Sequence, residues 1–312
     1  MPRRFAGSLA LRLAPICVLG TLLFASACHG GGEESEPLLA RLERLAFLPA
    51  GNCLLPLAQG SGLDCSTTTP LLVDRFEVTR DEWDAFRRDQ RVDPLPGRLD
   101  PRATPRWPAV WMDLAEARRF ADAQGMRIPT AREWLRVAAG TRAQRWPWSS
   151  QDAESVTNTL DLGLHRPTDA GSFPLGATSS GVHDLLGNVR EWTEGELGAL
   201  QEGASGNWVM GGSFLEYKRP IYQSGRVQGP VVCGELVEAE RRSMDTGVRL
   251  VADASPFLQR RLAGWRPNPS QRARLVAVGR SWGPASRSLL SELAERPDAS
   301  PALDALLEGA RQ

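Results

Sequence analysis

The sequence predicts an α+β domain, mixed in helix and strand and with little regular structure, followed by a C-terminal helical appendage. Three observations carry this. Short strand-like runs alternate with polar-capped helices between residues 46 and 140. From Trp146 to Trp208, Gly, Pro, Asn, Asp, Ser and Thr are frequent and no period persists. Beyond about Asp253 the chain reads as helices with Leu and Ala stripes.

The elements follow in order. A helical fragment at Leu38–Leu45 precedes a short strand at Ala46–Gly51. Leu71–Val78 reads as a second strand, with apolar residues alternating with charges at its end. Thr79 with Glu82 forms a capping box for a helix through Trp83 and Phe86. A Pro-rich loop spans Pro94 to Pro108. Leu114–Gln124 is a helix capped by Asp113, ended by Gly125, with Ala117, Phe120 and Ala121 on one stripe. Thr130 and Glu133 make another capping box, and Gly140 ends that helix. A structureless stretch as long as 146–208 needs an organiser, either bound metal or short strands. Val209–Phe214 and Gly247–Val251 read as closing strands. The appendage divides into helices at Phe257–Ala263, Ser270–Val278, Pro284–Ala294 and Pro301–Ala310.

The chain has 312 residues, 42% hydrophobic and 24% charged, enough for a sizeable core. Its 37 basic and 37 acidic residues balance, which argues against a nucleic-acid surface. Arg3, Arg4 and Arg12 precede an apolar stretch from Leu13 to Phe24, too short for a conventional transmembrane helix. It ends in Ala25-Ser26-Ala27-Cys28, which resembles a bacterial lipobox with Ala25 at the place usually held by Leu. The expectation is a signal peptide (1–27), a lipid on Cys28, and export to the periplasm or cell surface, with plain signal cleavage as the alternative. Residues 28–45 then read as lipidated Cys and tether, 46–252 as the main domain, and 253–312 as the helical extension. In an oxidising compartment Cys53 and Cys65 are near enough in sequence to close a hairpin, which leaves Cys233 as a free thiol.

Five segments, in order, resemble the formylglycine-generating enzyme (sulfatase-modifying factor) family. They are Asp74–Thr79 with Trp83 and Phe86; Pro108–Asp113 with Ala117 and Phe120; Arg127–Trp134; Gly181–Thr193; and the closing Gly211–Phe214 and Gly247–Arg249 pieces. The resemblance covers roughly residues 46–252 and implies a C-type-lectin-like fold. It also implies a Ca²⁺ site at Asp184, Gly187, Val189 and Glu191. Two carboxylates flanking a Gly-Asn turn suit a hard cation, which takes carboxylate and carbonyl oxygens. A second implied site falls on Asn158, Thr159, Asp161 and Leu164, with its acidic position displaced by one. Trp111, Trp134 and Trp192 lie inside motifs and read as scaffold. Arg226 and Arg249 read as partners of carboxylates and carbonyls within the fold.

The family's oxidase chemistry uses two thiolates that suit copper(I). Here their positions hold Glu216 and Ile221, so copper is not expected. With three His in all, a His-rich iron site is also disfavoured. The favoured reading is a non-catalytic, Ca²⁺-stabilised binding or structural module, anchored to a membrane by lipid. It would present loops 194–207 and 217–244 to a protein, peptide or glycan. The alternative is an enzyme, either an oxidase of this family or a derived activity in the same pocket with Glu216, Tyr217, Tyr222 or Arg226. A filled pocket favours the binding module; an open cleft around Glu216 favours the enzyme.

Overall fold

The structure, a computed structural model, describes residues 35–56, 62–94, 100–142, 144, 146–149, 153–197, 205–218 and 234–312. The expected signal peptide, Cys28, Ile221, Tyr222, Arg226 and Cys233 lie outside these residues.

The first element is already part of the core. Helix α1 (Ser35–Glu43) buries Leu38, Leu39 and Leu42, so the expected tether ends earlier than residue 45. Three leucines at helical spacing are too apolar to stay in solvent; each fully buried one contributes about 1.5–3 kcal/mol. Strand β1 (Leu45–Leu48) follows and pairs antiparallel with β4 (Leu71–Asp74). Between them a ribbon rises into the hairpin β2 (Leu54–Pro56) and β3 (Gly62–Asp64). A disulfide joins Cys53 and Cys65, with Cα atoms 4.8 Å apart.

Strand β4 is central in the sheet β1-β4-β9, where β9 is Val251–Asp253, and all four of its residues are buried. The strand expected to reach Val78 stops at Asp74. Beyond it Arg75 reaches out to the carbonyls of Ser180 and Gly181, and Glu77 turns inward to Asn188. Helices α2 (Arg80–Gln90) and α4 (Ala131–Ala139) start at the two expected capping boxes, and α3 (Leu114–Ala123) starts at the expected cap Asp113, which forms a box with Glu116 as well. Trp83, Phe86 and Phe120 pack ring to ring between α2 and α3, at 5.3–5.7 Å.

The irregular stretch is organised by strands and turns. Strand β5 (Arg190–Trp192) sits in the four-stranded sheet β7-β6-β5-β8. Its partners are β6 (Asn207–Met210), β7 (Gly234–Val237) and β8 (Thr246–Gly247). β5 runs antiparallel to β6 and parallel to β8.

The C-terminal helices are α5 (Ala254–Leu262), α6 (Pro269–Trp282), α7 (Arg287–Ala294) and α8 (Pro301–Arg311). They share one apolar core with α1, α2 and α3 rather than forming a separate unit. Trp282 donates its indole N–H to the Leu45 carbonyl at 2.8 Å, and Gln271 donates to Ser35 Oγ at 2.9 Å. Where α6 and α8 cross, Gly279 and Gly309 let the backbones touch. A Cβ at Gly279 would lie 1.9 Å from the Leu306 carbonyl oxygen. Among the described residues, no helix is long and apolar enough to cross a membrane.

Candidate functional site

Two regions of the structure bear on function: a buried charged knot beneath β5, and the surface around Glu216.

The knot forms because strand alternation turns Glu191 inward from β5 while the closing strand region turns Arg249 inward from the other side. Arg249 donates to Glu191 at 2.6 Å and to the carbonyls of Asp74 and His183 at 2.9 and 2.7 Å. Trp134 of α4 donates its indole N–H to the second Glu191 oxygen at 2.7 Å. Both ionic side chains are 1% exposed. Burial works against the Arg249 charge, and the Glu191 carboxylate together with Glu77 and Asp184 more than restores it. Both Glu191 oxygens are therefore engaged, so a cation at this position would share them with a guanidinium.

Asp184 lies beside this pair, with Oδ2 accepting the Gly171 N–H at 2.6 Å. Burial raises its pKa to about 6. Glu77 was not singled out from the sequence as a site residue, yet it is wholly buried. Burial first, then the nearby Asp184 carboxylate, push it well above the usual carboxylate range. Asn188 ties the knot. Its amide donates to Glu77 at 3.0 Å, and its Oδ1 accepts from Thr168 N and Asn158 Nδ2. Asn188 has φ of +56°, the left-handed region that Asn tolerates better than most residues. Gly187 precedes it at φ +80°, where a Cβ would strike the Asn158 carbonyl at 2.5 Å. Val189 is fully buried, with its N–H 3.4 Å from Glu77.

The residues of the second implied cation site sit around this turn. Asn158 is 1% exposed; its carbonyl accepts Asn188 N at 2.7 Å and its Nδ2 donates to Arg166 and Asn188. Its Oδ1 has no hydrogen-bond partner. An oxygen buried without a donor is what a cation or water would satisfy. Thr159 is buried and donates to Asp161, whose Oδ2 also takes Lys218 N at 2.7 Å. Thr159 and Asp161 line a cleft of about 290 Å³ with Glu154, Ser155, Thr157 and Lys218. Leu164 follows the 3-10 turn Leu160–Leu162. Among the described residues, no three of His, Cys, Asp and Glu converge as a ready metal cage.

Above the knot lies Glu216, at one of the two positions where the family resemblance implies a thiol. Arg190 projects from β5 and takes hold of it, with Nε donating to Oε1 at 2.6 Å and a second bond from Nη2. The same guanidinium donates to Glu235 at 2.6 Å and lies 3.7 Å from Asp245. Asp245 in turn accepts from Ser213 Oγ at 2.8 Å. Burial opposes the Arg190 charge, and Asp245 and Glu216 hold it protonated. The position is thus bound into an ion-pair network around Arg190.

Trp134 and Trp192 are core residues, as their motif positions implied. Trp111 is only half-buried and has φ of +70°.

Residues 36–254 match the family described as the sulfatase-modifying factor enzyme 1-like domain. The chain is 34% identical over 95 residues to the hercynine oxygenase of Mycolicibacterium smegmatis, covering 29% of this chain and 22% of that one. It is 29% identical over 107 residues to the inactive C-alpha-formylglycine-generating enzyme 2 of Bos taurus, covering 31% and 35%. The chain therefore spans about a fifth to a third of the length of these curated relatives. Among solved structures, Treponema denticola variable protein 1 superposes with a TM-score of 0.53 at 15% identity, covering 67% of this chain and 94% of that one. PvdO from Pseudomonas aeruginosa also gives 0.53, at 23% identity and the same coverage. These two likenesses speak to the fold alone. With well over half of its length matched to the family, the chain belongs to the sulfatase-modifying factor enzyme 1-like family.

Proposed function

We propose that this member of the family is a non-catalytic binding and structural module, exported, anchored by lipid on Cys28, and stabilised by calcium. The observation that carries the non-catalytic reading is Glu216. At a position where the family's oxidase uses a thiolate, this chain has a carboxylate locked to Arg190. A carboxylate cannot take the place of a soft sulfur ligand for copper(I). The relative named as inactive is in keeping with loss of catalysis within this fold. For the oxygenase-like alternative, His165 is exposed and the His183 ring lies tilted against Phe76, with ring centres 4.9 Å apart.

Calcium fits better at Asn158 than at Glu191. Asn158 Oδ1 is a buried oxygen without a donor, with Thr159 and Asp161 beside it. Asp184 and Glu191 serve first as the acid side of the knot around Arg249. The partner surface is assigned to loops 194–207 and 217–244, with a protein, peptide or glycan as ligand; parts of both loops lie outside the described residues.

The test uses the full chain. Supplied with copper(I), oxygen and a cysteine-bearing peptide, it should yield no aldehyde; formation of formylglycine would overturn the proposal. Calcium should raise the melting temperature of the wild type and not of Asn158→Ala. If both respond alike, calcium is not held at Asn158. Loss of fatty-acid labelling in Cys28→Ser is expected, and persistence of the label would remove the anchor.

A further inference from the structure

The cleft of about 290 Å³ beside Glu216 has a hydrogen-bond character that its own contacts define. It opens between residues 154–162 and the segment that follows Glu216. Two contacts stitch these walls together: Leu160 N–H donates to the Glu216 carbonyl at 2.8 Å, and Lys218 N–H donates to Asp161 Oδ2 at 2.7 Å. Thr157 and Thr159 line the cleft and are 7% and 2% exposed, so they form its floor. Glu154 and Asp161 are exposed and form its rim, and half-buried Leu162 supplies an apolar wall.

The direction of each hydrogen bond decides what the cleft can hold. Thr157 donates its hydroxyl proton to the Leu186 carbonyl, and Thr159 donates its own to Asp161 Oδ2 at 3.2 Å. A hydroxyl has one proton to give, so both threonines keep only lone pairs for a ligand. The carboxylates of Asp161 and Glu154 accept only, and a carboxylate has capacity beyond the two donors that reach Asp161 Oδ2. Lys218, which also lines the cleft, turns its ammonium to the Ala153 carbonyl at 2.8 Å and lies over the Trp146 ring at 5.3 Å. Two carboxylates against one ammonium leave an excess of one negative charge. The ligand must therefore bring donors and a positive charge, and a bare ion would leave most of the volume unfilled. A primary ammonium on an alkyl stem meets each requirement. It has three N–H donors for Thr157, Thr159 and Asp161, a single charge, and methylenes to lie against Leu162.

We propose that this cleft receives a lysine side chain of a protein or peptide partner. The inference rests on the reading of the chain as a binding module and deepens it. The cleft lies at the start of loop 217–244, which belongs to the partner surface assigned above, and its chemistry selects a protein or peptide over a glycan. Asn158, between the two threonines, turns its amide to Arg166 and Asn188, so calcium at Asn158 and a lysine in the cleft are separable by experiment.

The experiment titrates the full chain, in EDTA, with Nα-acetyl-lysine methylamide and reads binding by ligand-observed NMR. A Kd on the order of millimolar is expected for a single side chain. The norleucine analogue, which has the stem without the amine, should bind at least about tenfold more weakly. Asp161→Asn keeps the shape of the side chain and an acceptor for Lys218 N–H, and should weaken binding by about tenfold or more. Thr159→Val should weaken it by roughly fivefold. Glu154→Gln, on the exposed rim, should leave the melting temperature unchanged and weaken binding more at low salt than at high salt. Equal binding of the norleucine analogue, equal binding of the neutral polyol glycerol, or unchanged affinity in both Asp161→Asn and Glu154→Gln would each overturn the proposal. Such a failure removes the partner's chemistry and leaves the non-catalytic reading in place, whereas formation of formylglycine removes that reading and leaves this titration unaltered.

Discussion

Replacing Glu191 by Gln keeps the shape of the side chain and removes its charge. In the wild type, Arg249 donates to Glu191 from Nη2 at 2.6 Å and from Nε at 3.1 Å, and Trp134 donates at 2.7 Å. Gln offers one acceptor in place of two and turns its NH₂ toward a donor. Breaking a pair this deeply buried costs about 3–5 kcal/mol. Glu77 and Asp184 remain near Arg249 and hold part of its charge, which places the loss near the lower end. For a domain of this size, about 3 kcal/mol lowers the melting temperature by roughly 6–12 °C. Arg249→Met should cost more, because it leaves Glu77, Asp184 and Glu191 together without a cation. The double variant should be more stable than the sum of the two losses predicts, with a coupling of roughly 1–3 kcal/mol. Urea unfolding monitored by Trp fluorescence, with an unchanged slope, reads all three. A loss below about 1 kcal/mol for Glu191→Gln, or strict additivity, would refute the claim that Glu191 and Arg249 form a tightly coupled buried pair.

Other outcomes follow from particular contacts. Gly279→Ala places a methyl group against the Leu306 carbonyl, where a Cβ would sit at 1.9 Å; α6 and α8 must separate, at a cost of about 1–3 kcal/mol or more in urea unfolding. Asp184 has a folded pKa of about 6, above its ordinary 3.8, so the fold binds this proton more tightly than the unfolded chain does. Its contribution to stability is present below pH 3.8 and is lost as pH rises through about 6. Asp184→Asn should therefore stabilise the chain at neutral pH in EDTA and make no difference under strongly acidic conditions; an equal effect at both would contradict the shift. Replacing Cys53 and Cys65 by Ala releases a loop of sequence separation 12 and should cost about 3 kcal/mol, measured by calorimetry against the oxidised wild type.

Local elements were legible where a few neighbouring residues decide them. Thr79 with Glu82, Asp113 with Glu116, and Thr130 with Glu133 satisfy the first amides of their helices from within four residues. Those three helices start at the caps that the sequence indicates. The break after Asp74 was not legible, because it depends on Glu77 reaching Asn188, which is 111 residues away. The same holds for α1. Leu38, Leu39 and Leu42 are visibly apolar, but their burial needs the helices of the appendage to lie against them.

The candidate site divides in the same way. From the sequence come the family motifs, the replacement of both thiol positions, and the oxygen-rich residues near Asn158 and Asp184. Tertiary structure alone decided that Glu191 pairs with Arg249 and that Arg190 grips Glu216. It also decided that Glu77 joins the knot. Residue type and spacing set which charges are present. Which of them meet, and how strongly, depends on burial and on distances of a few ångströms between residues far apart in the chain, and those arise only when the sheets and the helical appendage close around them.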